Sequence, residues 1–131
     1  MRFLIANFDN SKIVEVSKQA IISSVVTTRE KIHHPAKETL ELATIMRTLG
    51  DPVRLDIVRL LADGTPRMCS EISATMGQPN STCSYHLRLM REAGITRARA
   101  QGTHRLISLR GEDLEARFPG LLEVLTARLT A

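Results

Sequence analysis

The sequence predicts a mainly α-helical domain carrying one small β-hairpin. Apolar residues recur at helical spacing from Leu42 to Met90. From Ile95 to Leu109 that period gives way to a rough two-residue alternation centred on Gln101-Gly102, the pattern of two antiparallel strands joined by a turn. Helical spacing then returns, with Leu121, Leu122, Leu125 and Leu129 forming an apolar stripe.

The elements follow in order. Residues 1–35 form an extension of mixed character, in which Ile13, Val14, Val16, Ile21, Ile22, Val25 and Val26 suit a helix face or a β-rich segment equally, so its structure is left open. Residues 36–131 form the folded domain. Leu42, Ile45, Met46 and Leu49 fall at i, i+3, i+4 and i+7 and Gly50 supplies a stop, which predicts the first helix. Asp51 stands where an N-cap belongs, Pro52 takes the first helical position, and Val53, Ile57, Leu60 and Leu61 line one face of a second helix ending near Asp63-Gly64. A short third helix from about Cys69 to Met76 offers Ile72 and Met76 for burial, and Gly77 closes it. In the helix that follows, NSTCSYHLRLMREAG from Asn80 to Gly94, Cys83, Leu87 and Met90 share a buried face. Glu112 to Arg117 is helical, Pro119-Gly120 interrupts, and Pro119 can initiate the closing helix.

A short helix, a tight glycine-containing turn and a second helix is the helix-turn-helix arrangement, and a β-hairpin after it is a wing. The second helix carries Ser81, Thr82, Ser84, Tyr85 and Arg88 on the face opposite its apolar stripe. Hydroxyl and guanidinium groups of this kind reach phosphate oxygens and base edges in a major groove. A polar helix face is more often merely solvated, so charge has to decide. Between Ser81 and Arg110 stand six arginines against a single acid, Glu92, which gives this stretch more net positive charge than the +4 of the whole 131-residue chain. Arg97, Arg99, His104 and Arg105 of the hairpin are therefore expected to brace phosphates or the minor groove. His86 and His104 suit phosphate contact or simple packing equally.

Composition narrows the classes. A hydrophobic content of 43% with 24% charged residues is that of a globular protein. Charges interrupt every apolar run, so no bilayer span is expected, and MRFLIANFDN lacks the apolar stretch of a secretory signal. A cytoplasmic protein is the expectation. With 3% aromatics and no tryptophan, duplex DNA is a better partner than a single strand that needs stacking platforms. No glycine-rich phosphate loop, His-Glu-x-x-His pair or Ser, His and Asp set in a recognisable context is present, so catalysis is not expected.

The segments LGDPVRLDIVRLLADG (Leu49 to Gly64), STCSYHLRLMREAGI (Ser81 to Ile95) and QGTHRLISL (Gln101 to Leu109) resemble the ArsR/SmtB family of bacterial winged-helix transcriptional repressors. The ending GEDLEARFPGLLEVL looks like that of an actinobacterial-type subgroup. The resemblance covers about Pro35 to Ala127. It implies a winged helix-turn-helix fold, a homodimer built through the first and last helices, a double-stranded operator as partner and release by an effector whose identity the sequence does not disclose. It assigns Leu42, Ile45, Met46, Leu121, Leu122 and Leu125 to the dimer seam, which accounts for apolar surface beyond what a small core needs.

This chain departs from the resemblance at several positions. Members with a metal site on the third helix have a Cys-x-Cys pair, whereas here the segment is Arg67-Met68-Cys69-Ser70-Glu71. Members with a site on the last helix use a histidine, and residues Glu112 to Ala131 contain none. No metal or resident cofactor is therefore expected. His33-His34 with Cys69 would be an alternative metal set, although adjacent linker histidines are more often solvated. Cys69 and Cys83 suit small buried hydrophobes better than a thiol switch. Pro79 stands where the family usually offers a serine cap, so Asn80 is expected to cap the recognition helix and join its DNA-facing residues.

Overall fold

Short-range capping chemistry starts and stops the helices, and their apolar faces then dictate how they stack. The computed structural model describes residues 32–127. After a 3-10 turn at Lys37–Thr39 come α1 (Leu42–Thr48), α2 (Pro52–Leu61), β1 (Arg67–Met68), α3 (Cys69–Met76), α4 (Asn80–Glu92), β2 (Thr96–Gln101), β3 (His104–Leu109), α5 (Gly111–Arg117) and α6 (Leu121–Thr126). The extension up to residue 31 and Leu129 of the closing stripe lie outside the described residues.

Asp51 caps α2 as its sequence position predicts, accepting hydrogen bonds from Val53 N at 2.8 Å and Arg54 N at 3.3 Å. Burial alone would raise its carboxyl pKa, but these backbone donors outweigh that and hold it below the usual carboxylate value. Between α3 and α4 the chain turns through Gly77, whose φ of 66° is the left-handed conformation that ends helices. Gln78 N then closes back on Ser73 O at 3.0 Å. This turn aims α4 away from α3.

The core is shared by every layer. Ile57, Val58 and Leu61 of α2, Ile72 of α3, and Cys83, Leu87 and Met90 of α4 are buried together with Leu40, Ile45, Ile95, Ile107, Leu114 and Leu125. Each large aliphatic side chain so enclosed contributes about 1.5–3 kcal/mol. The stripe expected on α4 is therefore the face that docks it.

The sheet has three strands in the order β1-β3-β2. β2 and β3 pair antiparallel from Thr96↔Leu109 to Gln101↔His104, and the two residues of β1 pair with Ile107 and Leu106. The hairpin was expected; β1 was not, because two residues are too few to show alternation. β2 lies at the sheet edge, where the N–H of Ala98 donates to His34 Nε2 at 3.0 Å. Beside it the Arg110 guanidinium donates to Pro35 O at 2.8 Å. Residues just ahead of position 36 are thus stitched to the wing.

Two expectations need correction. Pro119 does not open the closing helix: Leu121 N bonds Phe118 O at 3.0 Å across a turn in which Gly120 has φ 89°, and α6 begins only at Leu121. Of the residues assigned to a dimer seam, Ile45 and Leu125 are 0% and 7% exposed, so they pack inside their own chain. Away from α4, the large apolar side chains left outside among the described residues are Leu42, Met46 and Val124, with Leu121 and Leu122 half-buried. Val124 escaped the sequence reading although it lies three residues beyond Leu121, one helical turn along α6.

Candidate nucleic-acid interface

Two stripes of identical spacing run along α4. Cys83, His86, Leu87 and Met90 are buried, at i, i+3, i+4 and i+7. Ser81, Ser84, Tyr85 and Arg88 repeat that spacing on the exposed side. The inner stripe fixes the rotation of the helix, and the rotation presents the outer one. Tyr85 is 51% exposed, a large aromatic group left in solvent. The guanidinium carbon of Arg88 lies 5.5 Å from its ring centroid. This contact steadies two long side chains one helical turn apart. Thr82 is half-buried at the margin of the stripe.

Two members of the expected set are engaged by neighbouring helices. His86 is 9% exposed, and its Nδ1 lies 3.2 Å from the Arg54 guanidinium. A guanidinium has no acceptor, so this Nδ1 must carry a lone pair and the ring is held as a brace between α2 and α4. Helical spacing alone could have flagged it, since His86 is three residues from Cys83 and four from Met90. Asn80 is the first residue of α4, not its cap; the N-cap is Pro79, which has no side-chain bond to give. The Asn80 side chain instead bonds the hydroxyl of Ser73 on α3 and ties the two helices together.

The wing splits its basic residues between its faces. Directly paired residues share a face, so the register groups Arg105 with Ala98, Ala100 and Ile107 on the side towards the core. Arg97, Arg99 and Gln101 lie on the other side, while His104, at the tip of the wing, lines a crevice with Arg105, Ser84 and Asn80. Arg105 accordingly joins the recognition helix, lining one crevice with Ser84, Arg88 and Arg91. Arg91 was not among the expected contacts. Burial lowers its pKa first and the charge of Arg105 second, and among the described residues its Nε has no hydrogen-bond partner. The Asp113 carboxylate occupies Arg97 at 3.2 Å. It also holds Arg110 at 2.9 Å, an arginine 5% exposed whose work is structural. Arg88, Arg99 and Arg105 make no ion pair among the described residues.

Among those residues no helix is long and apolar enough to cross a membrane, and no three His, Cys, Asp or Glu side chains are grouped so as to hold a metal ion.

A helix-turn-helix domain family matches residues 49–99, which run from the end of α1 into the first strand of the wing. The uncharacterized HTH-type transcriptional regulator YceK of Bacillus subtilis is 36% identical over 84 residues, covering 63% of this chain and 84% of its own length. The chain belongs to the ArsR family of winged helix-turn-helix transcriptional regulators. A second HTH-type regulator, MJ1325 of Methanocaldococcus jannaschii, is 39% identical over 61 residues, 47% of this chain and 68% of its own. Among solved structures, the homodimeric winged helix-turn-helix DNA-binding domain Mb0332 of Mycobacterium bovis, a possible ArsR-family regulator, superposes with a TM-score of 0.57. It shares 28% identity and covers 68% of this chain and 82% of its own. Membership makes this ArsR-family protein a DNA-binding transcriptional regulator.

Proposed function

We propose that this ArsR-family protein is a cytoplasmic homodimeric repressor that reads a two-fold operator and leaves it when a small effector binds. Its action is binding, with no catalytic step. The observation that carries the reading is the exposed Ser81, Ser84, Tyr85 and Arg88 stripe, flanked by the guanidinium groups of Arg91 and Arg105. Ser81, Thr82, Ser84, Tyr85 and Arg88 enter the major groove, with the Ser and Thr hydroxyls on phosphates or base edges. Arg91 and Arg105 converge on one backbone phosphate, with His104 beside Arg105 at the tip of the wing and Arg99 meeting the backbone from its outer side.

The homodimer rests on the exposed Leu42, Met46 and Val124 and the half-buried Leu121 and Leu122, and on the homodimeric state of the similar M. bovis domain. Two-fold symmetry sets the paired recognition helices into successive major grooves, about 34 Å apart. Residues 36–131 carry both activities, with residues 1–35 an extension to them.

The test is a fluorescence-anisotropy titration of the protein against the DNA upstream of its own gene and a scrambled duplex of equal length, at several salt concentrations. Preference for the native fragment that persists as salt rises supports sequence-specific regulation. Equal, steeply salt-dependent binding to both removes the specific half of the proposal, and no binding to either removes the DNA-reading surface.

A further inference from the structure

Three arginines meet between the recognition helix and the wing. Ser84, Arg88 and Arg91 fall at i, i+4 and i+7 on α4, a row on the side towards the sheet. Arg105 joins them from β3, because the register places it on the same sheet face as Ala98 and Ile107. These four residues wall a crevice of about 60 Å³ floored by Leu87, Ala98 and Ile107, all of them buried.

No acid answers that charge at close range. Neither Asp nor Glu lines the crevice, and among the described residues none of the three guanidinium groups makes an ion pair. The Nε of Arg91 is buried and has no hydrogen-bond partner among those residues. Like charges held over an apolar floor repel more strongly than they would in water. Burial first, then Arg105, disfavours the charge of Arg91; Glu92 favours it without forming an ion pair, and Arg88 opposes it.

What the crevice lacks is an acceptor of a particular kind. Three guanidinium groups present forked N–H donors and Ser84 adds a hydroxyl, so a ligand that satisfies all four must carry several oxygens and more than one negative charge. Phosphate meets both conditions. The space is about that of two waters at ~30 Å³ each, so one phosphate group enters and any organic body attached to it stays outside.

We propose that this crevice is a discrete phosphate site, held by a backbone phosphate in the DNA complex and by free inorganic phosphate in its absence, so that the free ion competes with the operator. The competition rests on the DNA-binding reading above; the site itself does not. Chloride carries one charge and no separate oxygens, so it cannot join the four donors. Salt of any kind weakens phosphate contacts, whereas occupancy of the crevice adds a loss specific to the tetrahedral dianion. Sulfate, of the same shape and charge, should act as phosphate does.

The experiment titrates the full-length protein, without DNA, with sodium phosphate in a calorimeter at mildly alkaline pH, holding ionic strength constant with sodium chloride. The anisotropy titration against the upstream DNA is then run in phosphate and in chloride of equal ionic strength. One phosphate per chain is expected to bind. At phosphate about ten times its own Kd, affinity for DNA should fall roughly tenfold below its value in chloride. Arg91→Ala and Arg105→Ala should each lose the heat of phosphate binding. Arg91→Lys keeps the charge and the long stem, and its loss of most of that heat would report the forked guanidinium, not a damaged fold. No heat above the chloride background, or unchanged binding in both alanine variants, would overturn the site. Full binding in Arg91→Lys would reduce the cluster to a diffuse positive patch and overturn it equally. Phosphate that binds yet leaves DNA affinity the same in both salts would overturn the competition. If the protein binds no DNA at all, the DNA reading has failed, and the calorimetry still decides the site by itself.

Discussion

His86 lies on the recognition helix yet turns its Nδ1 to the guanidinium of Arg54 on α2, 3.2 Å away. The same guanidinium bonds Thr48 O at the end of α1 through its Nε. One imidazole thereby holds α4 at a fixed rotation against the two helices beneath it. His86→Ala is expected to destabilise the fold by about 1–3 kcal/mol, because a half-buried arginine loses its partner. Its salt slope for DNA binding should match that of the parent protein. Urea denaturation and the anisotropy titration measure the two quantities separately, and a slope lower by about one unit would instead place His86 on a phosphate.

Gly94 ends the same helix under two constraints at once. Its φ is 85°, and a Cβ built there would collide with Cδ2 of the buried Leu40. Backbone strain at a positive φ costs about 1–3 kcal/mol, and displacing Leu40 adds an overpacking term of about 1–3 kcal/mol. Gly94→Ala should therefore cost clearly more than the ~1 kcal/mol typical of single substitutions. Adding Leu40→Ala should recover the steric part and leave the strain. A double-mutant cycle in urea checks this, and strictly additive effects would refute the contact.

The wing is expected to loosen in mild acid. His34 Nε2 accepts the Ala98 N–H at the edge of β2, which requires that nitrogen to be unprotonated. Burial first, and then the charges of Arg97, Arg110, Arg91 and His33, lower its pKa from 6.5. A histidine whose folded-state pKa is depressed binds protons more readily when released, so its contribution is complete above about 6.5 and falls as the pH drops below that value towards the folded-state pKa. Hydrogen exchange at the Ala98 amide, corrected for its intrinsic pH dependence, should quicken across that window. His34→Phe should abolish the dependence. Constant protection of the parent protein down to pH 5 would show that the contact does not respond to protonation.

The helices were legible from the sequence wherever chemistry is local. Asp51-Pro52, Gly77 and the spacing of Cys83, Leu87 and Met90 each act within a turn or two of helix, and each is found as expected. What stayed hidden depends on residues brought together from afar. Ala98 and His34 are 64 positions apart, and Arg110 and Pro35 are 75 apart. The candidate site divides along the same line. The exposed stripe follows from one helix, but the roles of His86, Asn80 and Arg97 depend on Arg54, Ser73 and Asp113, which spacing within a single element cannot supply. Counting arginines likewise overstated the charge available to a ligand, because Asp113 takes up Arg97 and Arg110.

That difference separates two wing arginines that composition treats alike. Arg105 lines the crevice beside Arg88 and Arg91 and makes no ion pair among the described residues, whereas Arg97 lies 3.2 Å from the Asp113 carboxylate on the other side of the strand pair. An arginine that neutralises a phosphate releases close to one counterion, so Arg105→Ala should lower the salt slope by about 0.9 and weaken binding to all duplexes alike. Arg97→Ala should leave the slope nearly unchanged. The Arg97 pair is half exposed, and such pairs contribute about 0–1 kcal/mol to stability, so neither substitution should unfold the protein. Anisotropy titrations of both variants at matched salt concentrations decide the matter. Equal slope losses would mean that Arg97 leaves Asp113 for DNA, and a loss at Arg97 alone would mean that Arg97, and not Arg105, neutralises a phosphate.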